Sequence, residues 1–212
     1  MKRIVFHFDL ISPFAYLAFE RLPQVLEGID YEVEYRPLLL AGLLQHWKNV
    51  GPAEIEPKRV WTFRHVHWFA QQHSVAIDTP ATHPFNPLSL LRLAVACGPN
   101  RHVVQRLLQH VWVGGHEAGD AQRLTELTAD LAPRRDPASD DVKAELRGRT
   151  EAAAAAGIFG VPTFELDGRL FWGLDSLPML RDALAGAAWF DGPAWDAAAV
   201  PRPAVRRRPP PA

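Results

Sequence analysis

The chain opens on a strand–helix–strand pattern that admits few folds. Arg3-Ile4-Val5-Phe6-His7-Phe8 is β-branched and aromatic, as strands are. Phe14-Ala15-Tyr16-Leu17-Ala18-Phe19-Glu20-Arg21-Leu22 follows as a helix, and Gly28 marks its end. Tyr31-Glu32-Val33-Glu34-Tyr35-Arg36-Pro37 then alternates apolar with charged residues until Pro37 stops it. Two strands joined through one helix at this spacing are expected to lie parallel, with a right-handed crossover. Ser12 and Pro13 occupy the join. Serine is a preferred N-cap, and proline at the first helical position has its φ preset and no amide proton to leave unpaired. A strand feeding an open helix N-terminus also offers an anion free N–H groups and the positive end of the helix dipole. Taken alone, Ser12 reads as a helix cap.

From Leu38 to about Leu146 the periodicity turns helical. Apolar residues recur at Val60, Trp61, Phe63, Val66, Trp68 and Phe69, then at Leu90, Leu91, Leu93, Ala94 and Ala96. Two further sets follow, Val103, Val104, Leu107, Leu108 and Val111, then Leu124, Leu127 and Leu131. Their spacing is that of helices, and Gly98, Gly114-Gly115 and Pro133 close three of them. Val142 to Ala156 is a strong helix former ended by Gly157. Val161-Pro162-Thr163-Phe164-Glu165-Leu166 and Arg169-Leu170-Phe171-Trp172 flank Asp167-Gly168, which predicts a tight hairpin. Leu177 to Leu184 supplies the last helix. Residues 191–212, above all Val200 to Ala212, are rich in Pro, Arg and Ala and predict an extended or disordered tail. The chain thus divides into an α/β frame of 1–37 and 146–190, a helical insertion of 38–145, and the tail.

Composition narrows what such a frame can do. There is one cysteine, Cys97, so neither an internal disulfide nor a Cys-x-x-Cys redox pair is possible. In its helical pattern Cys97 reads as a small buried hydrophobe. A net charge of −1 implies no basic face for nucleic acid. No apolar run approaches the roughly 20 residues of a membrane span, and no signal-peptide pattern precedes the first strand. The expected location is the cytoplasm. His65-x-His67, with His73 and His83, comes nearest to a metal set. Positions i and i+2 do not share a helix face, however, and no carboxylate stands at ligand spacing. Trp47, Trp61, Trp68 and Trp112 read as packing rather than as a stacking platform for nucleic acid.

A βαβ half, a helical insertion and an αββα half make the α/β plan of the thioredoxin-like fold with a helical domain inserted, as in DsbA-like proteins. Val161-Pro162-Thr163 makes that likeness specific. The equivalent proline of the superfamily follows a cis peptide bond and presents the preceding backbone to the thiol at the first helix. Within it, Phe8-Asp9-x-x-Ser12-Pro13-Phe14-x-Tyr16-Leu17 resembles the signature of 2-hydroxychromene-2-carboxylate isomerases and kappa-class glutathione transferases, where serine-proline replaces the redox dithiol. Asn49-x-Gly51-Pro52 with Lys58 is similar to that family's glutathione-contacting segment. Phe171-Trp172-Gly173-x-Asp175 resembles the segment that receives the γ-glutamyl end. Ser176 departs from the pattern, since arginine commonly follows that aspartate. The resemblance runs from Arg3 to about Leu184.

What the resemblance implies is a glutathione-dependent enzyme acting on a small aromatic electrophile, usually a homodimer. Pro13, Asn49, Lys58, Val161, Pro162, Asp175 and Ser176 would hold glutathione, Ser12 would be the catalytic donor to its thiolate, and Phe14 and Leu38 would line the substrate pocket. The energetics are of the right size. Holding a thiol of pKa about 8.5 mostly as thiolate at pH 7 needs roughly two units, on the order of 2.7 kcal/mol. A helix N-terminus offers roughly 0.3–1 kcal/mol, up to ~2 when partly buried. A hydrogen bond to a charged acceptor offers about 1.5–3 kcal/mol. Ser12 and the helix dipole suffice together where neither easily does alone. The thiolate would add to an activated double bond, allow rotation and leave, for an isomerisation with no net redox change. Two other readings stay open: a kappa-like transferase whose product retains glutathione, and a redox-inactive thioredoxin-fold binding module.

Overall fold

The opening residues fold as their periodicity requires. In the computed structural model, which describes residues 1–202, the first strand β1 (Lys2–Phe8) leads into α1 (Pro13–Val25) and then β2 (Tyr31–Pro37). The two strands pair in parallel, from Lys2 opposite Tyr31 to Phe8 opposite Pro37. The hairpin is also present: β3 (Thr163–Leu166) and β4 (Arg169–Trp172) run antiparallel around Asp167 and Gly168, whose φ values are 50° and 78°. Two consecutive left-handed residues are what a tight hairpin turn between right-twisted strands demands. β3 joins the other edge of β1 antiparallel, giving a mixed sheet of order β2-β1-β3-β4. β1 is central and buried from Ile4 onward, and its Phe6 stacks on Phe164 of β3 at 4.8 Å.

Between the halves lie five helices: α2 (Leu40–His46), α3 (Glu56–Gln72), α4 (Leu88–Cys97), α5 (Arg101–Trp112) and α6 (Ala121–Leu131). α7 (Asp140–Ala155) follows and begins six residues before the expected boundary at 146, since Asp140 and Asp141 start its first turn. It packs on α2, α4 and β2, so insertion and frame share one wall. α2 had no periodic signal, being only seven residues long. The frame ends in α8 (Leu177–Leu184), at the predicted bounds.

The expected tail begins as structure instead. A turn at Ala188–Asp191 precedes α9 (Pro193–Ala199). Phe190 is buried against Phe171 of β4 (6.0 Å between rings), and Arg169 donates to the Phe190 carbonyl and the Asp191 carboxylate. Two aromatics, Phe190 and Trp195, override a composition that otherwise reads as solvated. Residues 203–212, the Pro/Arg-rich remainder of that expectation, lie outside the described residues. Among the described residues no helix is long and apolar enough to cross a membrane, and no three His, Cys, Asp or Glu side chains gather as a metal set.

Candidate active site

Everything around Ser12 is set by how the turn after β1 is held. Asp9 is fully buried, and its carboxylate accepts the Ile11 N–H at 3.1 Å and the Leu40 N–H at 2.7 Å. Its backbone carbonyl accepts the Ser12 N–H at 3.1 Å. From the insertion, the Trp112 indole N–H donates to the Leu10 carbonyl at 3.0 Å, and His83 Nε2 donates to the Ile11 carbonyl at 2.9 Å. A carbonyl cannot donate, so the proton is on His83 Nε2; Nδ1 is buried without a partner, and burial holds the imidazole below its ordinary pKa. Trp112 packs as its pattern predicts, and its N–H also holds the turn. The sequence offers His83 a place only in a metal set. Neither role had a sequence signal, because each partner is a backbone carbonyl distant in the chain.

Ser12 caps α1, its Oγ accepting the Ala15 N–H at 3.2 Å. The cap does not exhaust the hydroxyl. As donor, Oγ faces the Val161 carbonyl at 3.5 Å, beyond the ordinary O–H···O range, so its proton is weakly held. Val161–Pro162 is cis. The Pro162 carbonyl accepts the Gly173 N–H at 2.9 Å, which brings the 173–176 turn beside the same loop. Gly173 sits at φ +96°, and a Cβ there would collide with the Asp175 carboxylate. Ser12, Val161, Pro162 and Asp175, spread over the whole chain, are therefore linked in one place. Cys97 lies elsewhere, buried at the end of α4.

Aromatic side chains flank this place. Trp172 is half-exposed and lies across Gly160, where a Cβ would meet its Nε1 at 2.7 Å; it pairs with Phe159 at 4.9 Å. The Trp47 N–H donates to the Ile158 carbonyl at 2.9 Å, drawing the end of α2 to the same loop. On the other flank Phe14 meets His65 of α3 at 5.8 Å, and His65 is stacked between Trp61 and Trp68.

The remaining predicted residues are placed less centrally. Pro13 is buried at the first position of α1. Asn49 is exposed and its Oδ1 accepts the following Val50 N–H at 2.9 Å. Lys58 is exposed on α3, where with Pro52, Pro57, Trp61 and Thr62 it borders a pocket of about 430 Å³. Ser176 spends its hydroxyl on the Gly173 carbonyl at 2.7 Å, so it shapes the turn. Leu38 corrects the expectation of a pocket wall. It is 1% exposed, packed with Leu43, Ala153, Ala154 and Ile158. A cleft of about 810 Å³ lies between α1, α5 and α6 and contains none of the predicted site residues.

Burial pushes the Asp9 carboxyl up to about 7, against the backbone N–H groups that favour its charge. The folded chain thus binds a proton between the ordinary carboxyl pKa and about 7 that the unfolded chain releases. Asp9 therefore contributes most to stability below its ordinary pKa and loses that contribution as pH rises through about 7. Urea midpoints of wild type and Asp9→Asn, compared from pH 4 to pH 8, should diverge in the direction of a relatively weaker wild type. A difference independent of pH would contradict the raised value.

The fold defines a thioredoxin-like protein whose first helix begins at a serine rather than a cysteine. The chain belongs to the DSBA-like thioredoxin domain family, matched over residues 3–185. It is 27% identical over 191 residues to 2-hydroxychromene-2-carboxylate isomerase of Sphingobium xenophagum, covering 86% of this chain and 98% of that one. It is also 27% identical to glutathione S-transferase kappa 2 of Caenorhabditis elegans, covering 91% and 95%. A solved 2-hydroxychromene-2-carboxylate isomerase superposes with TM-score 0.77 at 25% identity, over 89% of this chain and 97% of that one. These relatives are enzymes, matched over nearly their whole length.

Proposed function

We propose that the protein is a glutathione-dependent isomerase of the 2-hydroxychromene-2-carboxylate isomerase type, acting on a small aromatic electrophile. The observation that carries this reading is the Ser12 hydroxyl at the α1 N-terminus, 3.5 Å from the Val161 carbonyl, in a chain whose one cysteine is elsewhere. A sulfur nucleophile at this site must come from a ligand. The residues present fit glutathione. Among the described residues the Val161 main chain pairs with no other backbone group, Asp175 offers a carboxylate to an ammonium group, and Lys58 offers a cation to a carboxylate. Bound glutathione supplies a thiolate for reversible conjugate addition to an activated double bond. Ser12 turns its weakly held proton onto the sulfur, and the α1 dipole adds to the same stabilisation. Phe14 on one side, and Phe159 with Trp172 on the other, present apolar faces to aromatic rings. Ser176, where the family resemblance leads one to expect arginine, brings no cation to this turn.

A kappa-like transferase would use the same site, and the product decides between the two. Reduced glutathione is expected to bind with micromolar-to-millimolar affinity and to raise the melting temperature by mass action. An isomerase releases a product free of glutathione, whereas a transferase releases the conjugate; mass spectrometry after incubation with 2-hydroxychromene-2-carboxylate separates them. Neither calorimetric heat nor thermal shift up to ~10 mM glutathione would leave the binding-module reading. A cytoplasmic homodimer belongs to the same proposal and is tested by cell fractionation and light scattering.

A further inference from the structure

Asp9 is ionisable, has no exposed surface, and among the described residues forms no ion pair. Its two oxygens serve different parts of the chain. Oδ1 holds Ile11 within the Ser12 turn at 3.1 Å, while Oδ2 holds Leu40, the first residue of α2, at 2.7 Å. Its carbonyl fixes the Ser12 N–H. One side chain thus ties the catalytic turn to the start of the helix whose far end carries Trp47 and Asn49. Asparagine could satisfy only one of the two N–H groups, since its amide nitrogen would face the other.

We propose that Asp9 is the positioning residue of this site: by joining the Ser12 turn to α2 it sets where Ser12 Oγ stands against the ligand sulfur. The proposal rests on the reading of Ser12 as the thiolate's donor. It predicts a sign that charge alone does not. Removing a buried negative charge near a thiolate should lower the pKa of the bound thiol. Misplacing the Ser12 donor should raise it.

The test follows thiolate absorbance against pH in the full chain saturated with glutathione. Asp9→Asn should raise the pKa of the bound thiol by at least half the rise caused by Ser12→Ala, and should add nothing in the Ser12→Ala background. Leu40→Pro deletes the N–H that Oδ2 accepts and puts a ring carbon in its place, breaking the tie, while Leu40→Ala controls for the lost side chain. Proline suits the first helical position, and Leu39 at φ −94°, ψ 108° is extended, as a residue before proline must be. Leu40→Pro should reproduce the rise and Leu40→Ala should not, so the test stands even if Asp9→Asn fails to fold. An unchanged or lowered thiol pKa in Leu40→Pro, with Ser12→Ala raising it, overturns the role of Asp9. An Asp9→Asn shift that persists in full without the Ser12 hydroxyl overturns it too. If Ser12→Ala leaves the thiol pKa unmoved, the reading of Ser12 fails, and the proposal with it.

Discussion

Ser12→Ala is expected to raise the pKa of bound glutathione by roughly one to two units, which is the 1.5–3 kcal/mol of a hydrogen bond to a charged acceptor. Turnover at neutral pH should fall about 10- to 100-fold and recover in part at higher pH, where the thiolate forms without help. Stability should fall as well, by about 1 kcal/mol, because the same Oγ caps α1 through the Ala15 N–H. The two effects separate cleanly. A cap alone predicts the melting-temperature loss with unchanged thiolate absorbance, and that result would remove Ser12 from the chemistry. Ser12→Cys is not expected to rescue activity, since a second thiol invites a mixed disulfide with glutathione.

Gly173→Ala should be nearly as damaging, for reasons of backbone. At φ +96° a side chain is strained, at a cost on the order of 1–3 kcal/mol, and the new Cβ would also displace the Asp175 carboxylate. Both Asp175 and the Gly173 N–H on the Pro162 carbonyl would shift. Glutathione affinity should drop at least about tenfold, worth roughly 1.4 kcal/mol, along with the melting temperature. Gly168→Ala is the control. It has a similar φ of +78° but nothing within 4 Å of its Cβ, so it should cost stability and leave affinity alone. Wild-type affinity in Gly173→Ala would exclude this turn from the binding site.

Local signals in the chain carried most of the frame. Alternation in Tyr31–Pro37, the Asp167-Gly168 pair and the Ser12-Pro13 join each name a structure through short-range chemistry, and each is present. Cis Val161–Pro162 was legible only through resemblance, and its contact with Ser12 spans 149 positions. What stayed hidden is what long-range packing decides. α2 is too short to show a period, Leu38 turned inward because α7 covers it, and Phe190 anchors a segment whose neighbours look solvated. The clamps on the Ser12 turn were illegible for a further reason. His83 and Trp112 each grip a main-chain oxygen, which leaves no complementary side chain in the sequence to find.

Those clamps bear on how this protein can be rebuilt. Leu40, His83 and Trp112 all come from the helical block, yet each is bonded to the turn that begins the first helix of the frame. A trimmed version keeping only the sheet and its flanking helices would hold the serine but lose three of the anchors of its loop. Grafting the Ser-Pro motif onto a bare thioredoxin scaffold would lose the same three. An engineer seeking a smaller unit should therefore keep the helical block, as part of the foundation of the Ser12 turn.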